Sequence, residues 1–405
     1  MAQGISMIAI PWYFVKNDSM ETFGWFYVLT NVIALLWVPY CGTLIDRYSR
    51  KNLLWIMMLA CGIVLASITG FGFYNNGLPM YLVGAVFMMT FFNYSLHYPA
   101  LYALVQEISE KKWYGKLASY IEIQGQLTAV LAGAGAAILL EGTKNGRINL
   151  FGIKTDIGRD ILPWQIHEIF LLDTCTYFLG FLFIFIMKFI PIAQRAPEGG
   201  TVTEQLRVGW KYLKNNKATF LFGVASYTVF VAVLVTTFYL AAAYVKEHLE
   251  LSGDVFAASE MYYAVGAIFA GVAIRQIFKK VSITFSIILM TIITCSLYLV
   301  LALTANEFIF YGMMILLGIC NAGTRIQRVT FLFAHIPNQV YGRANSIFVL
   351  SNLFLRICLM SIFAMSFFHT NHNIVYAFGI VSILLLISVL LLMKNYDAIG
   401  KIKPI

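Results

Sequence analysis

The chain has 405 residues, 60% hydrophobic and 12% charged, against roughly 45–50% and about 25% in a water-soluble domain. That balance excludes a soluble enzyme, and the apolar residues suffice for about twelve spans of the ~20 residues that cross a hydrocarbon core. The net charge of +9, from 28 Lys and Arg against 19 Asp and Glu, has to be located along the chain before a nucleic-acid or membrane partner is assigned to it.

Apolar runs fall near 4–15, 22–41, 53–73, 78–104, 117–140, 168–189, 218–245, 257–275, 282–304, 307–335, 343–368 and 373–393. Backbone groups in hydrocarbon must be satisfied within their own segment, and runs this long and continuous predict helices rather than barrel strands. The first, Met1 to Val15, reaches only about 22 Å at 1.5 Å per residue and has no basic anchor before it, as expected of a truncated first helix. No basic start followed by a short apolar core and a small-residue cleavage site marks a leader to be removed.

If the loop from Asp46 to Lys51 is cytoplasmic, alternate loops and the C-terminal tail hold 19 Lys and Arg, and the opposite loops hold 6. The acidic residues lean the other way. This is the positive-inside pattern of a multi-pass protein of the cell membrane with a cytoplasmic C-terminus, and no nucleic-acid footprint is left over. The external loop from Glu141 to His167 reads as a solvated cover without chemistry. In the long cytoplasmic loop, Thr201-Val202-Thr203-Glu204 has the pattern of a capping box. Val202, Leu206, Trp210 and Leu213 follow at helical spacing, so an amphipathic helix is expected on the inner membrane surface. The domains are then a six-span bundle over 1–190, a linker over 191–217, a second six-span bundle over 218–393 and a tail over 394–405.

The halves echo each other. Tyr114-Gly115-Lys116-Leu117-Ala118-Ser119 matches Tyr341-Gly342-Arg343-Ala344-Asn345-Ser346 at an offset of 227, and Gly42 to Lys51 matches Gly271 to Lys280 at 229. Both echoes join equivalent spans on the same side, so the fold class is all-α and integral to a membrane, with twelve helices in two pseudo-symmetric bundles flanking a shared site. Gly42-x-x-x-Asp46-Arg47-x-x-Arg50-Lys51 resembles the loop between helices 2 and 3 of the major facilitator superfamily. Gln3-Gly4-Ile5-Ser6, Pro11-Trp12, His97-Tyr98-Pro99-Ala100 and Ile336-Pro337-Asn338 are similar to its macrolide-efflux and siderophore-exporter branch. The resemblance implies that Gly42, Asp46, Arg47, Arg50 and Lys51 meet Gly342 and Arg343 as a latch that closes the inner side when the cavity faces outward. Asp46 could accept hydrogen bonds from the free N–H groups at the start of the eleventh helix, and the basic residues could equally be topology anchors. Ala132-Gly133-Ala134-Gly135-Ala136-Ala137 stands where drug antiporters of the family often carry Gly-Pro.

Charged residues inside spans are costly and usually face a cavity or a partner. Arg325 lies ten residues from His335, about 15 Å deep. Arg328 is about 10 Å deep by the same rise, and Arg356, counted from Arg343, about 20 Å. These three are the substrate or gating candidates, with rigid pairing to carbonyls and hydroxyls as the structural alternative. Glu122, Asp173 and His97 are the candidates for proton coupling; a static Glu122–Arg328 pair is the alternative for Glu122. His369 and His372 form HxxH without Cys or carboxylate neighbours in sequence. With six Cys and no CxxC spacing, neither a metal site nor a disulfide framework is indicated.

The expected function is secondary active transport, with proton-coupled efflux of a lipophilic, drug-like compound by alternating access as the first reading. Transport of an anionic metabolite or siderophore is the second, and a non-transporting interaction protein on the same fold is a third of another class. No convergent catalytic set and no phosphate-binding Gly-rich loop is present, so no enzyme and no cofactor is expected. The expected partners are the lipid bilayer, a small-molecule substrate and protons, and the chain is expected to be a monomer.

Overall fold

The computed structural model describes residues 1–110, 113–143, 147–150, 153–156, 158–188 and 202–402. Its first half contains α1 (Ala2–Lys16), α2 (Met20–Arg47), α3 (Arg50–Tyr74), α4 (Met80–Ile108), α5 (Tyr114–Glu141), a hairpin of β1 (Arg147–Leu150) and β2 (Ile153–Asp156), and α6 (Ile166–Ile186). A surface helix, α7 (Val202–Asn215), leads to α8 (Lys217–Val235), which continues through two π-helical turns and α9 (Ala241–Ala243) as one rod ending at His248. Then come α10 (Gly253–Ile277), α11 (Ile283–Leu303), α12 (Glu307–His335), α13 (Asn338–Phe363), α14 (Ile374–Lys394) and the short α15 (Tyr396–Gly400).

Ten of these helices are long and apolar enough to cross a membrane, the α8–α9 rod counting as one; α1, with 15 residues, and α4 complete twelve. Local chemistry sets several of their ends. Ser282 accepts from the Phe285 N–H, Asn306 accepts from the N–H groups of Phe308 and Ile309, and Gln165 and Glu168 form a capping box before α6. Each satisfies donors that a helix start leaves orphaned. Pro11, Pro39 and Pro99 lie inside α1, α2 and α4 and remove a helix hydrogen bond at each place.

Packing follows the repeat seen in the sequence. α3 packs on α6 as α11 packs on α14, and α2 packs on α4 as α10 packs on α12. The two halves meet through α5 against α10 and, in the symmetry-related place, α13 against α2. Small residues set how closely these helices approach. A Cβ built on Gly318 would collide with the Tyr263 carbonyl oxygen, and one on Gly266 with the Ile315 carbonyl oxygen, so α10 and α12 touch backbone to backbone. The helices share two ends. Arg47, Lys51, Lys211, Lys214, Lys279 and Lys280 cluster at the basic end, and Asp18, Glu21, Glu141, Glu247 and Asp254 at the acidic end.

Two segments carry detail beyond the sequence expectation. α7 forms the expected helix and is docked on α13 and α8. Leu213 is buried, Gly209 abuts the Arg343 carbonyl, and Trp210 stays 52% exposed with its ring edge-on to Phe220. The interhelical contact therefore selects Gly209 and Leu213, not the whole apolar stripe. The loop after α5, expected to be a solvated cover, contains the antiparallel hairpin with Leu150 opposite Ile153. It is tied at its ends: the Thr143 hydroxyl donates to the Arg159 carbonyl at 2.8 Å and accepts from the Ile161 N–H at 2.7 Å.

Gly318→Ala is expected to lower the thermal midpoint of the purified protein, because overpacking a tight contact costs about 1–3 kcal/mol. Gly271→Ala, whose added Cβ would meet nothing within 4 Å, is the control and should leave the melting curve in place.

Candidate functional site

The halves are stitched together at the acidic end. The Tyr239 hydroxyl, from the first π-helical turn after α8, donates toward the Met20 carbonyl of α2 at 3.0 Å and lies 2.8 Å from His369 Nε2. π-turns of this kind re-aim side chains and recur at functional sites. Ser366 donates to Glu21 at 2.6 Å, and a Cβ on Gly24 would strike Ala364, so α2 and the end of α13 are in direct contact. Glu141 accepts from the Trp12 indole at 2.9 Å and from the Gly253 backbone N–H at 3.2 Å, joining α1, α5 and α10. His369 Nδ1 stands 3.3 Å from Glu247, and His372 contacts the Glu247 carbonyl. The carboxylate neighbour that HxxH lacks in sequence is therefore supplied in space by Glu247.

At the basic end the latch positions show no close contact with one another among the described residues. A Cβ on Gly42 or Gly342 would meet nothing within 4 Å, and Arg47 is exposed. Arg50 pairs with Glu107 at 3.7 Å. Arg343 reaches the linker helix through its backbone, and Lys51 is half-buried. Asp46 lies on α2 and Glu122 on α5, but their side chains fall outside the described residues, so a Glu122–Arg328 pair is not part of the described structure.

Between these ends each half buries a polar group. In the first, Asp173 on α6 is 1% exposed, and neither carboxylate oxygen has a hydrogen-bond partner among the described residues. The Ser6 hydroxyl of α1 stands beside it, and Tyr177, one turn on, accepts from Gln3 at 3.1 Å and Asn93 at 3.0 Å. In the second half, Glu260 on α10 faces Thr237 in the π-turn, with its Oε1 buried and unpartnered. The Tyr263 hydroxyl accepts from Asn321 and lies within electrostatic range of both Glu260 and Arg325. Thr236, adjacent to Thr237, is 2.8 Å from the Tyr298 hydroxyl.

The arginines occupy different settings. Arg328 is 3% exposed, donates to the Ser226 carbonyl at 3.0 Å and lies 3.7 Å from the Tyr227 ring centroid, which clamps α12 to α8. Arg356 is 5% exposed on α13 and crosses to the first half, 5.0 Å from the Phe91 centroid and 6.0 Å from Tyr27. A desolvated cation over aromatic faces is held by the ring quadrupoles. Arg325 is half-buried on α12 beside Tyr263. His97 on α4 has a buried, unpartnered Nδ1 and meets Tyr98 edge-on; it is not hydrogen-bonded to Asp173 among the described residues.

The Major Facilitator Superfamily model matches residues 1–358. The chain belongs to the Major Facilitator Superfamily. It is a multi-pass membrane transporter and not an enzyme. No curated protein sequence matches it. Among solved structures it is similar to the nucleoside transporter NupG, at 13% identity, TM-score 0.66 and coverage of 99% of this chain and 98% of that one. It is also similar to a bacterial homologue of the human lysosomal transporter Spinster in an inward-facing, unoccupied conformation (10%, TM-score 0.67, coverage 99% and 96%). A third is a bacterial homologue of the iron transporter ferroportin in an inward-facing state (14%, TM-score 0.65, coverage 97% and 96%). At these identities the likeness is one of fold.

Glu260, Tyr239 and Glu141 were not among the sequence candidates for this transporter. Glu260 lies within the run expected over 257–275, but α10 begins at Gly253, where Ser252 contacts Asp254, which sets Glu260 about two turns into the helix and not in its first turn. The Ser-Gly-Asp start signal was the available cue. Nothing local in the sequence marks Tyr239, whose role depends on a residue 219 positions away.

Tyr239→Phe removes the hydroxyl from the acidic-end seam. A hydrogen bond of this kind is worth about 1 kcal/mol, so the population open at that end should rise roughly fivefold. Spin labels at Asn75 and Asn371 in a cysteine-substituted background should show the longer-distance component growing by that factor.

Proposed function

We propose that this transporter is a proton-coupled exporter of a lipophilic, drug-like compound, working as a monomer in the cell membrane by alternating access. The basic end is taken as cytoplasmic from the charge asymmetry of the loops. The observation that carries the reading is one carboxyl in each bundle, buried Asp173 and half-buried Glu260 with its Oε1 buried, without an ion-pair partner among the described residues. Carboxylate charge without a partner in hydrocarbon is costly. A proton arriving or leaving there changes the energy of the packing around it. The halves are tied together at the acidic end, so in this scheme a compound enters from the cytoplasmic leaflet.

In this scheme the two bundles form the units of motion, residues 1–190 and 218–393, linked by 191–217. Asp46 and Gly342 close the cytoplasmic side in the opposite state, with Arg47, Arg50, Lys51 and Arg343 around them. Glu122 and His97 remain candidates for further proton steps.

Arg356 supports a second reading, transport of an anionic metabolite or siderophore. Its guanidinium is buried over Tyr27 and Phe91, and its Nε has no hydrogen-bond partner in the described structure. An anionic group would satisfy it.

Proteoliposomes carrying an imposed pH gradient separate the two. On the first reading, Glu260→Gln and Asp173→Asn each reduce gradient-driven drug efflux at least about tenfold, a loss of about 1.4 kcal/mol of coupling, while substrate exchange without a gradient persists. Arg356→Gln should then change efflux little. If drug flux is absent in the wild type and an anion flux disappears in Arg356→Gln, the second reading replaces the first.

A further inference from the structure

A cavity of about 610 Å³ lies inside the first half, away from the seam between the bundles. Its walls come from α2, α3 and α4, with Trp37 and Leu44 on the first, Leu53 and Ile56 on the second, and Ala85 and Met88 on the third. On α2 it extends from Phe26 to Leu44, about 27 Å at the helical rise, most of a hydrocarbon core. Asn93 donates its amide to Tyr177, leaving a wall of hydrocarbon and aromatic surface. Ile56 and Ala85 are exposed, so the slot opens sideways from the bundle.

The related helices of the second half approach more closely. There Gly266 and Gly318 bring α10 and α12 into backbone contact. Between α2 and α4 the contact is looser, and Trp37 reaches across to the Phe92 carbonyl at 3.3 Å. Pro39 and Pro99 interrupt the two helices facing the slot. The cavity thus lies where the repeated fold packs its helices less closely.

The turn just beyond its basic end carries the cations. Leu44 and Leu53 line the slot on either side of the turn that holds Arg47 and Lys51, and neither cation has an ion-pair partner among the described residues. Arg50, between them, is held by Glu107. A long apolar slot ending at two available cations matches one acyl chain joined to an anionic headgroup.

We propose that this slot is a binding site for an anionic phospholipid, with one acyl chain between α2, α3 and α4 and the phosphate at Arg47 and Lys51. The lipid then holds the turn carrying the latch residues, and its occupancy couples the composition of that leaflet to closure of the basic end. The site is separate from the seam and does not depend on which cargo is carried.

The test uses the full chain in vesicles of phosphatidylcholine containing dibrominated phosphatidylglycerol or dibrominated phosphatidylcholine, with tryptophan quenching as the readout. Trp37 should be quenched preferentially by the anionic lipid, and the preference should vanish in Trp37→Phe. Arg47→Gln with Lys51→Gln should weaken phosphatidylglycerol binding roughly fivefold for each cation removed. Ala85→Trp, at an exposed wall position, should displace either lipid. Native mass spectrometry of the same variants, counting retained phosphatidylglycerol, gives a second measure and shows whether each is folded. Equal quenching by the two lipids in the wild type, or an unchanged preference in the double Gln variant, overturns the proposal.

Discussion

Hydrocarbon offers a polar side chain no water, so every polar group on these helices must find its partner in the protein or remain unsatisfied. That constraint orders the molecule. Where the groups pair fully, as at Tyr239 with Met20, Phe363 and His369, they fix one helix against another. Unpaired atoms, such as the Asp173 carboxylate oxygens, the Oε1 of Glu260 and the Nε of Arg356, hold energy that a proton or a ligand can release. The fold thus separates its polar residues into those that close the structure and those available for exchange.

The two halves are related but not equivalent. In the second, glycines on α10 and α12 let backbones touch, and a clamp from Arg328 to Ser226 and Tyr227 ties α12 to α8. The first half has bulky aromatics on α2 and α4 and a cavity beside them. A rigid lobe against a more yielding one concentrates deformation in the first half, near the turn from Arg47 to Lys51. Packed interfaces tend to switch between discrete arrangements instead of deforming evenly.

Much of the fold was legible in the sequence because hydropathy and loop charge act locally. Twelve apolar runs gave twelve helices, and the internal echo matches the pairing of α3 with α6 and α11 with α14. α10 begins at Gly253, four residues before the run over 257–275, because apolarity weakens near Asp254; Glu260 therefore lies about two turns into the helix instead of at its edge, where it reads as a loop-side charge. The seam was illegible for another reason. Trp12 with Glu141, Glu21 with Ser366, and Tyr239 with Met20 are 129, 345 and 219 residues apart, and no periodicity encodes such meetings. HxxH looked isolated for the same reason, since Glu247 reaches His369 from another element.

α13 connects several of these features in one rigid body. Its 26 residues extend about 39 Å. Near the basic end the Arg343 carbonyl rests on Gly209 of α7; midway, Arg356 lies over Phe91 of the first half; at the acidic end Ala364 follows and packs on Gly24. Described α13 contains no proline at which to bend. A tilt that frees Ala364 from Gly24 must therefore also shift Arg356 across its aromatic bed and press or lift the Arg343 turn against α7. In the alternating-access scheme proposed above, opening one end and closing the other would then be a single movement of one lever, with α7 in contact with it.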